Sequence, residues 1–279
     1  MAQTEKKMNN SKEGSVMLSL KGIHKCFARG TSHEIIALRG INMHIPEGDF
    51  ITVIGSNGAG KTTLLNIIAG TIIPDKGIVK IDQKDVSKEA EYYRARFIGR
   101  VFQDPLMGTA PSMTIEENLV LSIKRFGRGL CLGLTAQRRE FFRDKLAQLE
   151  LGLENMLSKK VTLLSGGQRQ ALTILMATMF DPKLLLLDEH TASLDPEISK
   201  KIQAITQDIV KEKKLTTMMV THNMGEALRL GNRTIMMDRG RIILDISGKQ
   251  REGITIDYLL KQFSKLRKEE YIEDELVLA

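Results

Sequence analysis

Short apolar runs alternate along this chain with longer stretches in which apolar residues recur at helical spacing. The runs at 50–54, 184–187 and 216–220 consist largely of apolar and β-branched residues. Such runs are typical of strands that lie inside a sheet and are buried on both faces. Helical patterns follow at 63–70 and 196–213. The alternation predicts an α/β fold.

The early and middle parts of the chain add two features to this core. Shorter strand patterns lie at 16–21, 41–45, 78–81 and 98–102. From 113 to 165 the pattern is helical, and Thr114 and Glu117 have the spacing of a capping box that begins a helix. We therefore expect a long helical insert within an α/β chain.

Composition and charge narrow the class of protein. Lys and Arg outnumber Asp and Glu by 41 to 34, which gives a net charge of +7. An excess of this sign suits nucleic acid or an anionic membrane surface. Basic and acidic residues are interspersed, however, and aromatic residues do not alternate with them as in a base-stacking platform, so a solvated surface is preferred. Cys26 and Cys131 are not spaced as a redox or metal pair, and reduced cytosolic thiols are expected.

The composition of the two ends of the chain predicts a tail at each end, and the hydropathy predicts no membrane-spanning segment. Residues 1–15 are polar and charged, which favours a disordered tail over a signal peptide. No run of about 18 apolar residues occurs, so the chain should not cross a bilayer. A mixed-charge amphipathic pattern over 256–270 predicts a helix that docks on its own domain. We expect a cytoplasmic protein that reaches a membrane only through a partner.

A glycine-rich stretch between the 50–54 strand and the next helix carries the clearest chemistry. It fits the P-loop pattern G-x-x-x-x-G-K-[ST] and consists of Gly55, Ser56, Asn57, Gly58, Ala59, Gly60, Lys61 and Thr62. Glycines let backbone N–H groups surround a polyphosphate, and the following helix N-terminus adds positive potential. Lys61 should reach the β- and γ-phosphates, and the Thr62 hydroxyl should ligate Mg²⁺. The flanking strand and helix argue against an incidental glycine-rich turn.

Two carboxylates follow the four leucines at 184–187. Asp188 and Glu189 stand at the carboxyl end of a predicted buried strand, where α/β sheets bind ligands. Asp188 is placed to hold Mg²⁺, directly or through water, and Glu189 to polarise an attacking water. A pair of acids that merely caps a strand is the alternative, and the P-loop in the same chain favours catalysis. The residues alone indicate a P-loop nucleoside triphosphatase with a helical insert.

Taken as a set, the motifs resemble those of the ATP-binding subunits of ABC transporters over about 17–246. The matching segments are Walker A at 55–62, the Q-loop at Gln103, the LSGGQ signature at 164–168, Walker B with its glutamate at 184–189, the D-loop at 193–195 and the switch histidine at His222. Phe27 falls where the family places an aromatic residue that stacks on adenine, usually a tyrosine. The LSGGQ sequence is nearly diagnostic of the family.

The resemblance implies the ABC ATPase fold. That fold is an α/β P-loop core with a mostly parallel sheet, an N-terminal antiparallel β subdomain and an inserted α-helical subdomain. It places the ATPase domain at 16–250, with the helical subdomain at about 104–180. A disordered tail at 1–15 would precede the domain, and a C-terminal helical tail at 251–279 would follow it.

The resemblance also implies ATP and Mg²⁺ as cofactors and gives roles to individual residues. Glu189, His222 and Lys61 would be catalytic, and Thr62, Gln103 and Asp188 would hold the metal. ATP would contact Phe27, Gly55, Ser56, Asn57, Gly58, Ala59, Gly60, Lys61, Thr62, Thr63, Gln103 and Asp195, together with Ser165, Gly166, Gly167 and Gln168 of a second copy. The implied assembly is a homodimer that forms head to tail on ATP.

The implied partners are those of a separate transport ATPase, because one motif set is present without a fused membrane segment. They are an integral-membrane permease at the inner face of the cell membrane and, indirectly, an extracytoplasmic solute-binding protein. The exporter-type T-x-V-G-E sequence is missing at 158–162, and the residues around Gln103 and Glu189 resemble those of bacterial importers, some assigned to aromatic amino acids. No nucleic-acid partner is expected. A nucleic-acid-associated or regulatory ABC ATPase without a transport role is the alternative.

One residue departs from the family pattern. His190 follows the glutamate of the Walker B segment, where proline or alanine is most common. A tolerated variant is the preferred interpretation. A second histidine beside the site could instead shift the pH dependence of activity.

Overall fold

The computed structural model describes residues 15–123 and 134–264, so that most of both predicted tails, the glycine-rich break after 126 and Cys131 lie outside the described residues. The strands are β1 (Val16–Phe27), β2 (Ile35–Pro46), β3 (Phe50–Gly55), β4 (Lys76–Ile81), β5 (Lys84–Asp85), β6 (Ile98–Val101), β7 (Leu184–Asp188), β8 (Thr216–Val220), β9 (Arg233–Asp238) and β10 (Arg241–Ser247). The helices are α1 (Lys61–Ala69), α2 (Glu91–Arg94), α3 (Ile115–Ile123), α4 (Ala136–Ala147), α5 (Gly166–Thr178), α6 (Pro196–Lys213) and α7 (Met224–Leu230). A further helix covers 256–264.

A mostly parallel sheet forms the centre of the molecule, in the order β10-β9-β3-β8-β7-β6. All neighbours pair in parallel except the β9–β10 hairpin. Both faces are covered, which explains the four consecutive leucines of β7. Leu184 and Leu186 pack in the core that contains α1, whereas Leu185 and Leu187 pack in the core that contains α5 and α6.

The second sheet is antiparallel, in the order β2-β1-β4-β5. Its inward side chains, among them Leu18, Leu20 and Ile41, share one core with Leu64 of α1 and Ile51 of β3. The helix that follows the P-loop is therefore packed between the two sheets. The P-loop lies where the antiparallel sheet meets the parallel one.

A helical subdomain is inserted between β6 and β7. The predicted capping box begins it, since Glu117 Oε2 accepts from Thr114 N at 2.7 Å and Thr114 Oγ1 accepts from Glu117 N at 3.3 Å. Arg139 of α4 donates to both carboxylate oxygens of Glu116 in α3, at 2.8 and 3.0 Å. The last helix of the insert, α5, packs its buried face against the parallel sheet.

Some predicted boundaries are wrong. The sequence predicts a first strand over 16–21, but β1 continues to Phe27 because it pairs with β2 there, Phe27 opposite Ile35. The charged stretch at 88–96 has a helical pattern, but it forms one helical turn only, α2. It ends at Arg94, whose buried guanidinium donates to the carbonyls of Ile67 and Ile68 at 2.5 and 3.0 Å and so fixes the chain against α1.

Candidate functional site

The P-loop has a backbone that only glycine accommodates at its two ends. Gly55 and Gly60 have φ of 152° and 97°. A Cβ on Gly55 would lie 2.1 Å from the carbonyl oxygen of Met237, and a Cβ on Gly60 would lie 2.5 Å from that of Ala37. The loop is thus wedged between β9 and β2. The predicted strand, glycine loop and helix are all present.

Lys61 lies across the loop that precedes it. Its Nζ donates to the carbonyl oxygens of Gly55 and Ser56 at 2.9 and 3.0 Å, and the side chain is buried. Burial lowers the pKa of Lys61, while the charges of Glu189 and Asp188 raise it. The ammonium therefore stands between the glycine loop and the two carboxylates after β7.

Asp188 and Glu189 have different environments although they are neighbours. Burial raises the pKa of Asp188, and the nearby Arg100 charge opposes that shift. Glu189 has a left-handed backbone with φ of 45°. This conformation turns its side chain to His222, and Glu189 Oε1 lies 2.6 Å from His222 Nε2. The sequence motifs that contribute Glu189 and His222 thus meet in space.

One cleft brings together the predicted metal ligands. Thr62, Gln103 and Asp188 line it together with Arg100 and Asn66. Glu189 and His222 line a second cleft between α6 and α7. Thr62 and Gln103 are exposed, so their oxygens can reach a ligand in the cleft.

Sequence reasoning missed Arg100 and Asp238. Arg100 donates to Asn66 Oδ1 at 2.5 Å and lies 4.4 Å from the Phe102 ring centroid, just before Gln103. Asp238 Oδ1 accepts from Ser56 Oγ at 2.7 Å. The sequence could have indicated Arg100, because a basic residue within a buried strand is unusual. It contains no comparable signal for Asp238.

The signature loop forms the N-terminus of α5. Ser165 caps the helix, and Gln168 Oε1 accepts from Ser165 N at 3.1 Å. The Gln168 amide also donates to the Leu151 carbonyl at 3.1 Å, so this side chain is committed within its own subunit. Ser165 and Gly166 are exposed. None of these residues lines either cleft described above.

The remaining predicted contacts lie at the edges of the site. Phe27 ends β1 with 38% of its surface exposed. Asp195 is exposed immediately before α6, and Thr63 lies half-buried in the first turn of α1. Asn57 and Gly58 are exposed at the tip of the P-loop, whereas Ala59 is buried behind it.

His190 is buried against α6. It is 3% exposed, and its Nε2 lies 3.3 Å from Thr206 Oγ1 on α6. Burial lowers the pKa of His190 to about 4. The ring is therefore neutral near pH 7, and its titration belongs to the stability of the fold rather than to the pH dependence of catalysis near neutrality.

Comparison with known proteins identifies the family. A family model described as ABC transporter matches residues 38–192, which is more than half of the chain. The chain belongs to the ABC transporter family. The matched segment contains the P-loop, Gln103, the signature loop and both carboxylates.

Individual ABC proteins are similar to this chain over most of its length. A tyrosine transport ATP-binding protein of Clostridioides difficile is 42% identical over 88% of this chain and 98% of that protein. A methionine import ATP-binding protein of Streptococcus agalactiae is 32% identical over 81% of this chain, which spans 64% of that relative's length. A dimeric ATP-binding cassette solved in a post-hydrolysis state with ADP and Pi has a TM-score of 0.72 at 32% identity, over 83% of this chain and 98% of that one.

The predicted fold and the predicted class of function are confirmed. The protein is an ATP-binding, ATP-hydrolysing subunit of an ABC transporter. The alternative of an ABC ATPase unconnected with transport finds no support among these relatives. Within 15–123 and 134–264, every helix is too short or too polar to span a bilayer.

Proposed function

We propose that this ABC subunit drives the import of tyrosine or a closely similar aromatic amino acid. The observation that carries the proposal is the 42% identity with a tyrosine transport ATP-binding protein along 98% of that protein's length. The methionine import relative covers less and is less similar. The solute itself would bind the permease and an extracytoplasmic binding protein, so this subunit supplies energy and not recognition.

The phosphates of ATP bind at the P-loop in this proposal. The backbone N–H groups of 57–62 and the N-terminus of α1 surround them, and the Lys61 ammonium contacts the β- and γ-phosphates. Support comes from the burial of Lys61 against the loop and from glycine-only backbone at Gly55 and Gly60. Adenine stacks on the exposed part of the Phe27 ring, since β2, which pairs with β1, also contacts the P-loop at Gly60.

Mg²⁺ fits the oxygen donors at the neighbouring cleft. The Thr62 hydroxyl, the Gln103 amide oxygen and the Asp188 carboxylate line the same cleft, and hard divalent cations prefer such oxygens. Phosphate oxygens and water would supply the remaining oxygen ligands. The metal would neutralise charge on the phosphates. Arg100 keeps the pKa of Asp188 from rising further, which favours the ionised carboxylate that a metal needs.

Hydrolysis uses Glu189 and His222, the pair of side chains that lines the second cleft. Glu189 accepts a hydrogen bond from the attacking water and polarises it toward the γ-phosphate. His222 contacts the γ-phosphate and, at 2.6 Å from Glu189, orients the carboxylate. The signature loop, with Ser165 and Gly166 exposed at its start, approaches from a second copy, in keeping with its absence from this subunit's own clefts.

The permease docks beside Gln103 in this proposal. A groove between the parallel sheet and the helical subdomain is lined by Phe102, Met107 and Leu121. Met107 and Leu121 are exposed, at 70% and 49%, which suits a partner surface. Docking there would place the subunit at the inner face of the membrane. Gln103, one residue from Phe102, would link the metal site to the permease.

Uptake of labelled tyrosine tests the proposal in cells that produce either the parent chain or a variant. Glu189→Gln should bind ATP, lose hydrolysis and abolish uptake, because the water is no longer polarised. Gln103→Ala should bind ATP within about threefold of the parent and transport less tyrosine per ATP hydrolysed. Tyrosine uptake that does not depend on Glu189 would overturn the solute assignment. Near-normal ATP hydrolysis by Lys61→Ala would overturn the proposed site.

A further inference from the structure

The residues proposed to bind the two ends of ATP belong to different sheets. Phe27 ends β1 of the antiparallel sheet, whereas the P-loop joins β3 of the parallel sheet to α1. Adenine stacking contributes to affinity only if the ring stands at a fixed place relative to the phosphate cradle. Some contact must therefore tie the end of β1 to the P-loop helix.

Lys25 and Asp75 form such a contact. Lys25 Nζ donates to Asp75 Oδ1 at 2.9 Å and to the Ile73 carbonyl at 3.0 Å. The same ammonium lies over the Phe27 ring, 5.6 Å from its centroid. This distance is within the range of a cation–π interaction. One charge thus contacts both the ring and the segment after α1.

Asp75 is joined to β1 through the backbone as well. Its Oδ2 accepts from Cys26 N at 2.6 Å, and its own N–H donates to the His24 carbonyl at 2.9 Å. The Lys25 hydrogen bond, followed by the Cys26 N–H, lowers the pKa of Asp75. Asp75 therefore holds the residues on both sides of Lys25, immediately before Phe27.

The segment that carries Asp75 begins at the end of the P-loop helix. Gly70 caps α1 with a left-handed backbone, and the Gly70 and Ile72 N–H groups both donate to the Asn66 carbonyl. The chain then runs through Ile73 to Asp75. Ion pairs as exposed as Lys25–Asp75, with side chains 17% and 34% exposed, contribute little to stability. The arrangement of Lys25 and Asp75 instead fixes the position of the end of β1 relative to α1.

We propose that Lys25 and Asp75 are positioning residues that hold the Phe27 ring for the adenine of ATP. This inference rests on the proposed stacking role of Phe27. Lys25 fixes the ring through its ammonium, and Asp75 fixes Lys25 and the strand end to the P-loop helix. The pair therefore sets affinity for the base end of the nucleotide and leaves affinity for the phosphate end unchanged.

Binding of two probes separates these ends. Dissociation constants for MgATP and for magnesium tripolyphosphate, which lacks a base, are measured by calorimetry. Lys25→Met and Asp75→Asn should weaken MgATP binding about threefold to tenfold and leave tripolyphosphate binding unchanged. Lys25→Arg keeps a cation over the ring and should retain most of the affinity. Lys183→Met, which breaks the surface ion pair with Asp82, is the matched control and should change neither probe.

A double variant tests whether the effect passes through the ring. In a Phe27→Ala background, Lys25→Met should cause no further loss of MgATP affinity, because no ring remains to be positioned. The inference would be overturned if a variant bound both probes more weakly to an equal extent, or if Lys25→Met caused its full loss of MgATP affinity in the Phe27→Ala background. It would also be overturned by MgATP affinity of Lys25→Met within twofold of the parent while Phe27→Ala is impaired. If Phe27→Ala itself binds MgATP normally, the proposed stacking role of Phe27 is wrong, whatever Lys25 and Asp75 do.

Discussion

At the scale of single residues, two histidines near adjacent strand ends have opposite surroundings. His222 is partly exposed and lies 2.6 Å from the Glu189 carboxylate. His190 is buried against Thr206 with a pKa lowered to about 4. Their sequence positions do not reveal this difference, since both follow strands that end at the site. Burial places the His190 ring in the core, whereas exposure leaves the His222 ring available to the proposed catalytic pair.

The lowered pKa of His190 makes the fold sensitive to acid. The unfolded chain protonates this ring near pH 6.5 and the folded chain only near pH 4, so its contribution to stability is complete above 6.5 and is lost as pH falls toward 4. The loss amounts to about 3 kcal/mol. Urea unfolding at pH 7.5 and 4.5 should show a smaller pH dependence for His190→Gln than for the parent.

His33→Gln is the matched control, because His33 lies on an exposed loop. Its unfolding free energy should follow the parent at both pH values. Equal pH dependence for the parent and His190→Gln would contradict the buried, neutral ring.

The sequence predicts the residues that belong to motifs and misses those that support them. Glycines, Lys61, Asp188 and Glu189 stand at fixed spacings, and the chemistry of phosphate and water requires those residue types. Arg100 and Asp75 act through partners that are distant in the chain, Asn66 and Lys25. No local pattern encodes such pairs, so only the folded chain reveals them.

At the scale of elements, the close approach of α5 and α6 positions the signature loop. Gly167 lies in the first turn of α5, and a Cβ there would be 2.4 Å from Ile198 Cγ2. Ile198 is β-branched and rigid, so it cannot yield easily. The glycine of the signature therefore has a packing role in its own subunit, in addition to any contact with nucleotide.

Gly167→Ala should destabilise the protein by about 1–3 kcal/mol, because the added methyl group separates the two helices. The measurement is urea unfolding, repeated in an Ile198→Ala background. In that background, Gly167→Ala should lower the free energy of unfolding by much less, since the obstructing Ile198 methyl group is gone.

Gly166→Ala is the control for this pair. Its Cβ would meet only Leu194 Cδ2, at 3.4 Å, and its stability should stay within about 1 kcal/mol of the parent. A Gly167→Ala variant as stable as Gly166→Ala would exclude the close approach.

Elements in the core were predictable because burial on both faces gives continuous apolar runs. The α6 and β8 boundaries agree with the prediction, Pro196–Lys213 and Thr216–Val220. The end of β1 was not predictable, because its strand character depends on pairing with β2. The helix at 88–96 is shorter than its pattern predicts for a similar reason, since burial of Arg94 against α1 ends it.

At the scale of the whole molecule, the proposed site is divided between two faces. Asp188 and Glu189 line the two clefts, whereas Ser165 and Gly166 are exposed at the start of α5 outside them. One subunit would then supply half of each site to a partner. The structural relative with ADP and Pi is itself dimeric.

ATP should therefore hold two subunits together until it is hydrolysed. Glu189→Gln keeps the shape of the side chain and removes the carboxylate, so it should accumulate as a dimer with MgATP. Adding Ser165→Arg should return it to a monomer, because the larger side chain occupies the partner's phosphate position. Light scattering measures both.

The parent protein provides the control, since its specific ATPase activity should fall on dilution as dimers dissociate. A Glu189→Gln variant that stays monomeric in saturating MgATP, together with constant specific activity on dilution, would contradict a shared site in the isolated subunit.

Because Glu189 has a left-handed backbone, the residue that would best stabilise the fold at position 189 is not the residue proposed for catalysis. A non-glycine residue in this conformation is strained by roughly 1–3 kcal/mol, and a glycine there is not. Glycine at 189 would also remove the carboxylate that is proposed to activate water. A laboratory selection for thermal tolerance alone would therefore favour an inert transporter subunit, and thermostable descendants of this chain should be screened for ATP turnover before any other property.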